Sequence, residues 1–112
     1  LMQRDVFTAI ADPTRREIIT MLVSQPLNLN TVADKFDISR PAVAKHLKLL
    51  KECGLIDIEK RGRESFCSAR LDGLKEVTDW TAKMRAFWTQ KLDALEVFLE
   101  NDQNTKQDKN HE

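Results

Sequence analysis

The chain is poor in the residues that catalytic and metal sites draw on. Its 112 residues include two histidines, two cysteines and three glycines. His46 and His111 have no nucleophile placed with them in a recognisable pair, and three scattered glycines make no phosphate-cradling loop, so no catalytic site is expected. Cys53 and Cys67 make no disulfide framework. Neither has a histidine or a second cysteine at zinc-ligand spacing, so no metal and no cofactor is expected. Unpaired cysteines fit a reducing cytoplasm. No apolar run approaches membrane-spanning length and no basic-then-apolar leader opens the chain, so no membrane partner is expected. Leu1 ahead of Met2 reads as a trimming remnant.

What is present is charge. Lys and Arg number 18 and Asp and Glu 18, a formal balance that conceals an asymmetry. Residues 39–63 hold seven basic against three acidic residues, a net of +4, whereas residues 72–112 hold six against nine, a net of −3. Phosphate responds to the local field, so net neutrality does not exclude a nucleic-acid partner.

The basic region opens on a well-marked helix, S-R-P-A-V-A-K-H-L-K-L-L-K-E-C-G from Ser39 to Gly54. Ser39 is a strong N-cap, Pro41 sits in the first turn where its missing N–H costs nothing, and Gly54 offers the left-handed residue that ends a helix. Val43, Leu47 and Leu50 recur at helical spacing and predict a buried stripe. The other face carries Arg40, Lys45, His46, Lys48 and Lys51. A shorter helix, Leu29 to Phe36, precedes it across an Asp37-Ile38 turn, with Asn30 or Thr31 expected as its cap. Two helices joined this way predict a helix-turn-helix, whose second helix enters the DNA major groove.

Upstream, Arg4 to Ala11 predicts a short helix with Val6, Phe7 and Ile10 on its apolar side. Asp12-Pro13 caps the next, Pro13 to Val23, with Ile18, Ile19, Met21 and Leu22 inward. Downstream of Gly54 the period changes to that of a strand, Leu55 to Arg61. Gly62-Arg63 makes a two-residue turn and Glu64 to Leu71 returns. That turn pairs Arg61 with Glu64, Ile58 with Cys67 and Ile56 with Ala69. From Ile58 back to Cys53 is roughly 16 Å of strand, beyond the reach of a disulfide. Asp72 is expected to cap a long helix from about Leu74 to Asn101. Its apolar residues at helical spacing are Leu74, Val77, Trp80, Met84, Phe87, Trp88, Leu92, Leu95, Phe98 and Leu99. Residues 102–112 are polar throughout and predict a disordered tail after a single domain over residues 3–101. The fold class expected is mainly α with a small β-hairpin, a winged helix-turn-helix.

The order D-P-T-R-R at 12–16, S-R-P-A-V-A-K-H-L-K-L-L at 39–50, C-G-L-I at 53–56 and K-R-G-R-E at the hairpin tip resembles ArsR-type transcriptional regulators over about residues 4 to 100. The resemblance implies a homodimeric winged helix-turn-helix repressor at a palindromic operator. Metal-sensing members carry a cysteine pair in the helix before the recognition helix, where this chain reads Thr31-Val32-Ala33-Asp34-Lys35-Phe36, or Asp and His ligands in the last helix, which here has no histidine. The chain therefore resembles the branch without a metal sensor.

A row of cations on one helix is ordinarily a solvated face. Within a helix-turn-helix that has a basic wing, Ser39, Arg40, Ala42, Lys45, His46 and Lys48 become candidates for contact with double-stranded DNA, joined by Lys60, Arg61 and Arg63 at the tip. Arg15 and Arg16 are expected to serve structure, one of them pairing with a carboxylate or a helix end, with phosphate contact as the alternative. Core packing, a dimer interface and a ligand pocket compete for the aromatic residues of the last helix. One helix carries more large groups than a small core can bury, which favours a dimer interface of Val6, Phe7, Ile10, Trp80, Met84, Phe87, Trp88, Leu92 and Leu95. Two alternatives stand beside this reading: a small organic effector bound near the aromatic helix, and a winged-helix module for protein–protein docking.

Overall fold

In a computed structural model of the chain the described residues are 5–110, with side chains to Asn104. Leu1, Gln3 and Arg4, and the last residues of the expected tail, His111 and Glu112, lie outside them. The elements are α1 (Val6–Ala11), α2 (Pro13–Ser24), β1 (Leu27–Asn28), α3 (Leu29–Asp34), α4 (Arg40–Glu52), β2 (Ile56–Arg61), β3 (Glu64–Ala69), a 3-10 turn (Leu71–Leu74) and α5 (Lys75–Asn110). The chain divides after Val77 into two units.

In the first unit, α2, α3, α4 and the base of the sheet enclose one core. Ile18, Val32, Val43, Leu47, Leu50, Leu55, Ile56 and Cys67 are its most deeply buried side chains. Val43, Leu47 and Leu50 are the stripe read from spacing, now 0 to 1% exposed. Met21 is only half-buried, and on α1 it is Val6 and Ala9 that are buried, while Phe7 and Ile10 pack at the core's margin. Cys53 and Cys67 are both free thiols, and burial pushes the Cys67 thiol above its ordinary pKa.

The hairpin has the register that its turn dictates: Arg61 faces Glu64, Ile58 faces Cys67 and Ile56 faces Ala69. Gly62 alone in the turn has positive φ, +66°, as a turn with glycine first requires. A third strand joins it. Leu27 pairs with Cys67 and Asn28 with Phe66, giving the order β1-β3-β2. Asn28 then caps α3, its Oδ1 accepting the Asn30 N–H at 2.8 Å, so the cap is neither of the two expected residues, Asn30 and Thr31, but lies upstream of both. Strand β1 sets the chain at Asn28 in extended conformation, the geometry an N-cap needs.

Two arginines close the end of α1. The last four carbonyls of a helix have no partner within it. Arg15 donates from Nη2 to Thr8 O at 3.0 Å and from Nε to Ala9 O at 2.7 Å. Arg16 Nη1 donates to Ile10 O at 2.8 Å and Ala11 O at 3.2 Å. All four carbonyls are thereby met from the first turn of α2; a helix end was one of two partners expected for one of these arginines, and both take it. Arg15 and Arg16 also place positive charge where the helix dipole is negative. Arg15→Ala should cost about 1–3 kcal/mol of stability in urea titration, because it removes charge-assisted hydrogen bonds to a six-residue helix with little hold of its own. A variant as stable as the parent would show that water meets these carbonyls equally well.

The end of the chain departs from expectation at two points. Asp72 lies inside the 3-10 turn and α5 begins at Lys75 rather than Leu74. The helix also passes Asn101 and continues to Asn110. Polar composition signals that a segment has no core to bury, but from Lys75 to Asn110 there is no glycine or proline to stop a helix already running. In this second unit Trp80, Phe87, Trp88, Leu92, Leu95, Phe98 and Leu99 are about half or more exposed. At 100° per residue they fall, with Met84, in an arc of roughly 140°. Val97, also exposed, points elsewhere.

Candidate nucleic-acid interface

The candidate interface is the outward face of α4 with the helix before it and the tip of the hairpin. Ser39 begins α4 as a cap, its Oγ accepting the Ala42 N–H at 3.2 Å. The Ser39 side chain and the Ala42 amide are therefore engaged with each other at the helix start. Cys53 follows the helix as its C-cap, and Gly54 turns the chain at φ +75°. With Val43, Leu47 and Leu50 turned into the core, Arg40, Lys45, Lys48 and Lys51 are exposed and Ala42 and His46 half-buried. Among the described residues Lys45 and Lys48 make no ion pair.

Arg40 is held from α3. Its Nη2 donates to Asp34 Oδ1 at 3.2 Å and its Nη1 to Asn30 Oδ1. Asn30 and Asp34 are four residues apart and share one face of α3. The arginine and the carboxylate both remain well exposed, at 60% and 69%. His46 is held from the opposite side, with its Nδ1 3.3 Å from Arg15 Nη1. A guanidinium can only donate, so Nδ1 accepts and the ring proton is assigned to Nε2. Arg15 thus joins the end of α1, the start of α2 and the middle of α4. Its own backbone N–H donates to Asp12 Oδ2 at 3.0 Å. That bond holds the Asp12 carboxyl below its ordinary pKa; burial opposes the shift and the charge of Arg15 adds to it.

At the hairpin tip, Lys60, Arg61 and Arg63 are all exposed. Arg61 is braced along its own sheet. Its Nη2 lies 3.5 Å from Glu59 Oε2 and its Cζ 4.9 Å from the centre of the Phe66 ring. Glu59 and Phe66 are direct cross-strand partners, so both braces come from one rung of the ladder. Lys60 and Arg63 make no ion pair among the described residues.

Sequence reasoning named the cations but not their partners Asn30, Asp34, Glu59 and Phe66. The i, i+2 spacing of Glu59 and Arg61 on β2 was a signal available for one of these contacts. Of the candidate dimer residues, Val6 is 5% exposed and committed to the core, while those of α5 are exposed, apart from a half-buried Met84. Among the described residues no three His, Cys, Asp or Glu side chains gather as metal ligands, and no helix is long and apolar enough to cross a membrane.

The family described as "Bacterial regulatory protein, arsR family" matches residues 12–57, from the cap of α2 into β2. The chain is similar to the transcriptional repressor SdpR of Bacillus subtilis (strain 168), 33% identical over 76 residues, which is 68% of this chain and 84% of that protein. It is 33% identical over 95 residues to the HTH-type transcriptional regulator Rv2034 of Mycobacterium tuberculosis (strain ATCC 25618 / H37Rv), covering 84% of this chain and 85% of the relative. Among solved structures, the ArsR-like transcriptional regulator from Rhodococcus sp. RHA1 superposes with a TM-score of 0.70 at 34% identity, over 86% of this chain and 88% of its own. A capped helix-turn-helix, a basic winged hairpin and relatives matched over most of both chains together place this protein in the arsR family of bacterial regulatory proteins, as a winged helix-turn-helix DNA-binding transcriptional regulator.

Proposed function

We propose that the protein is a cytoplasmic homodimeric repressor that binds a palindromic operator through α4 and the wing, with no metal or cofactor. The observation that carries this reading is the division of α4 into a buried apolar stripe and an exposed row in which Lys45 and Lys48 stand without ion-pair partners among the described residues. Cations without an ion-pair partner attract phosphate. Repression is supported by the likeness to SdpR, a named repressor. A palindrome requires two recognition helices about one helical turn of DNA apart, roughly 34–36 Å, which calls for two copies of this chain. The exposed stripe on α5 supplies an apolar surface for that pairing. Ser39, Ala42 and His46 then lie at or near the duplex with their side-chain or backbone groups already engaged. Arg40 is the side chain placed to read base edges.

Fluorescence anisotropy on duplex DNA across a range of salt tests the reading. The parent should bind steeply more weakly as salt rises. Lys45→Ala and Lys48→Ala should each weaken binding to every sequence and flatten the salt slope by about one unit per protomer. If both bind like the parent, α4 does not present this face to DNA. Arg61→Ala with Arg63→Ala should lower affinity with fold and assembly unchanged. An unchanged affinity would leave the wing a purely structural element.

A further inference from the structure

We propose that Asn30 and Asp34 are positioning residues for sequence readout, holding the Arg40 guanidinium at the start of the recognition helix so that its remaining donors meet a base edge already aimed. This deepens the DNA-contacting role proposed for α4 and rests on it. The two acceptors lie on one face of the preceding helix and take one donor from each terminal nitrogen of Arg40. The other N–H groups of the guanidinium stay available. An exposed ion pair of this kind contributes little to stability, and with 60% and 69% of the two side chains exposed it is not a device for holding the fold together. What it does remove is side-chain freedom. A long, flexible arginine reads a base by two parallel bonds only when its plane is set, and a plane set before binding raises the penalty for the wrong base.

The arrangement has a cost that makes it recognisable. Asp34 puts a negative charge beside the cation nearest the duplex, so it must weaken attraction to phosphate in general. Its removal should therefore move two measured quantities in opposite senses. The probes are a duplex recovered by the parent protein from a randomised pool and a random duplex of equal length, each titrated at one fixed salt concentration. Asp34→Ala should bind the random duplex about threefold more tightly, while the ratio of selected to random affinity falls about tenfold. Asp34→Asn keeps an acceptor and loses the charge; it should share the tighter random binding but retain most of the ratio. Asn30→Ala should lower the ratio without strengthening random binding. In an Arg40→Ala background, where the ratio is already low, Asp34→Ala should lower it no further. Far-ultraviolet circular dichroism and urea titration should find each variant folded, as their exposure requires.

An Arg40→Ala variant with the parental ratio would overturn the proposal, as would Asp34→Ala and Asn30→Ala variants that both keep it. A ratio that rises in Asp34→Ala would also overturn it, by showing that the carboxylate withholds the guanidinium from DNA. A parent that recovers no sequence from the pool would instead remove the DNA reading itself, and the proposal with it.

Discussion

Trp88→Glu, and separately Leu92→Glu, should leave the first unit folded, turn the protein monomeric at micromolar concentration and lower operator affinity by about 10²–10⁴-fold. The magnitude comes from linkage. Two half-sites engaged by one dimer bind with an effective concentration that a lone protomer lacks, and that advantage disappears when the protomers part. The choice of residues comes from exposure: Trp88 is 62% and Leu92 58% exposed, and neither belongs to the core enclosed by α2, α3, α4 and the sheet. A carboxylate there costs the isolated chain almost nothing. Buried between two copies without a partner it costs several kcal/mol. Val97→Glu is the control. Val97 is as exposed, at 55%, but lies outside the apolar arc of α5, so this variant should remain dimeric. Sedimentation velocity and anisotropy together read the outcome. A parent that is itself monomeric at micromolar concentration would remove the basis for the interface.

Gly73→Ala should be among the most damaging single methyl additions in the chain, destabilising by about 2–4 kcal/mol and lowering the melting temperature on the order of 10–20 °C. A Cβ at Gly73 would lie 2.2 Å from Gly54 O and 2.9 Å from Gly54 C, with Leu55 Cδ2 at 3.1 Å. The obstacle is backbone, so no rotamer change relieves it. Neither side has room to retreat. Gly54 ends α4 in left-handed conformation, Leu55 N–H donates to Leu50 O at 3.0 Å, Leu55 O accepts the Arg70 N–H at 2.8 Å, and the Leu55 side chain is 1% exposed. Gly54→Ala provides a calibration. No atom lies within 4 Å of its added Cβ, so its cost is the conformational one for φ +75°, about 1 kcal/mol. Thermal melts of the two variants should therefore differ clearly. Equal, small shifts would mean that the 3-10 turn slides away from Gly54 without loss.

The helix-turn-helix and the wing were legible because independent signals coincide in them. At α4 a cap, a first-turn proline, an apolar stripe and a terminating glycine all mark the same thirteen residues. At the hairpin, a two-residue turn leaves one register that puts Ile56, Ile58 and Cys67 on the same side. Strand β1 was not legible: two residues, Leu27 and Asn28, have no period to read, and only their pairing with β3 makes them a strand. The cap of α3 was misplaced for the same reason, because Asn28 becomes a cap by being the last residue of that strand. The end of α5 was missed because polarity reports burial, not helicity. At the interface, residue types disclosed which side chains carry charge. The contacts of Arg40 with Asn30 and Asp34, and of His46 with Arg15, depend on how neighbouring helices cross, which no local pattern encodes. A carboxylate or a helix end was anticipated as the partner of one of Arg15 and Arg16; that both meet the end of α1, and between them all four of its terminal carbonyls, was not.

The three-stranded order gives the wing an uneven grip along its length. Strand β3 has neighbours on both edges only at Phe66 and Cys67, where β1 meets it; toward the tip it is held by β2 alone. Amide hydrogens should therefore exchange in a gradient, fast from Arg63 to Ser65 and slow at Cys67, whose opening requires the core to loosen. The hairpin then behaves as a zipper with a stop: it opens from Gly62 inward and halts at the rung that seats Arg61 against Phe66 and Glu59. If the wing meets a DNA groove as proposed, a tip free to open up to that stop refits to grooves of different width, while the strand base that anchors α3 through Asn28 stays closed.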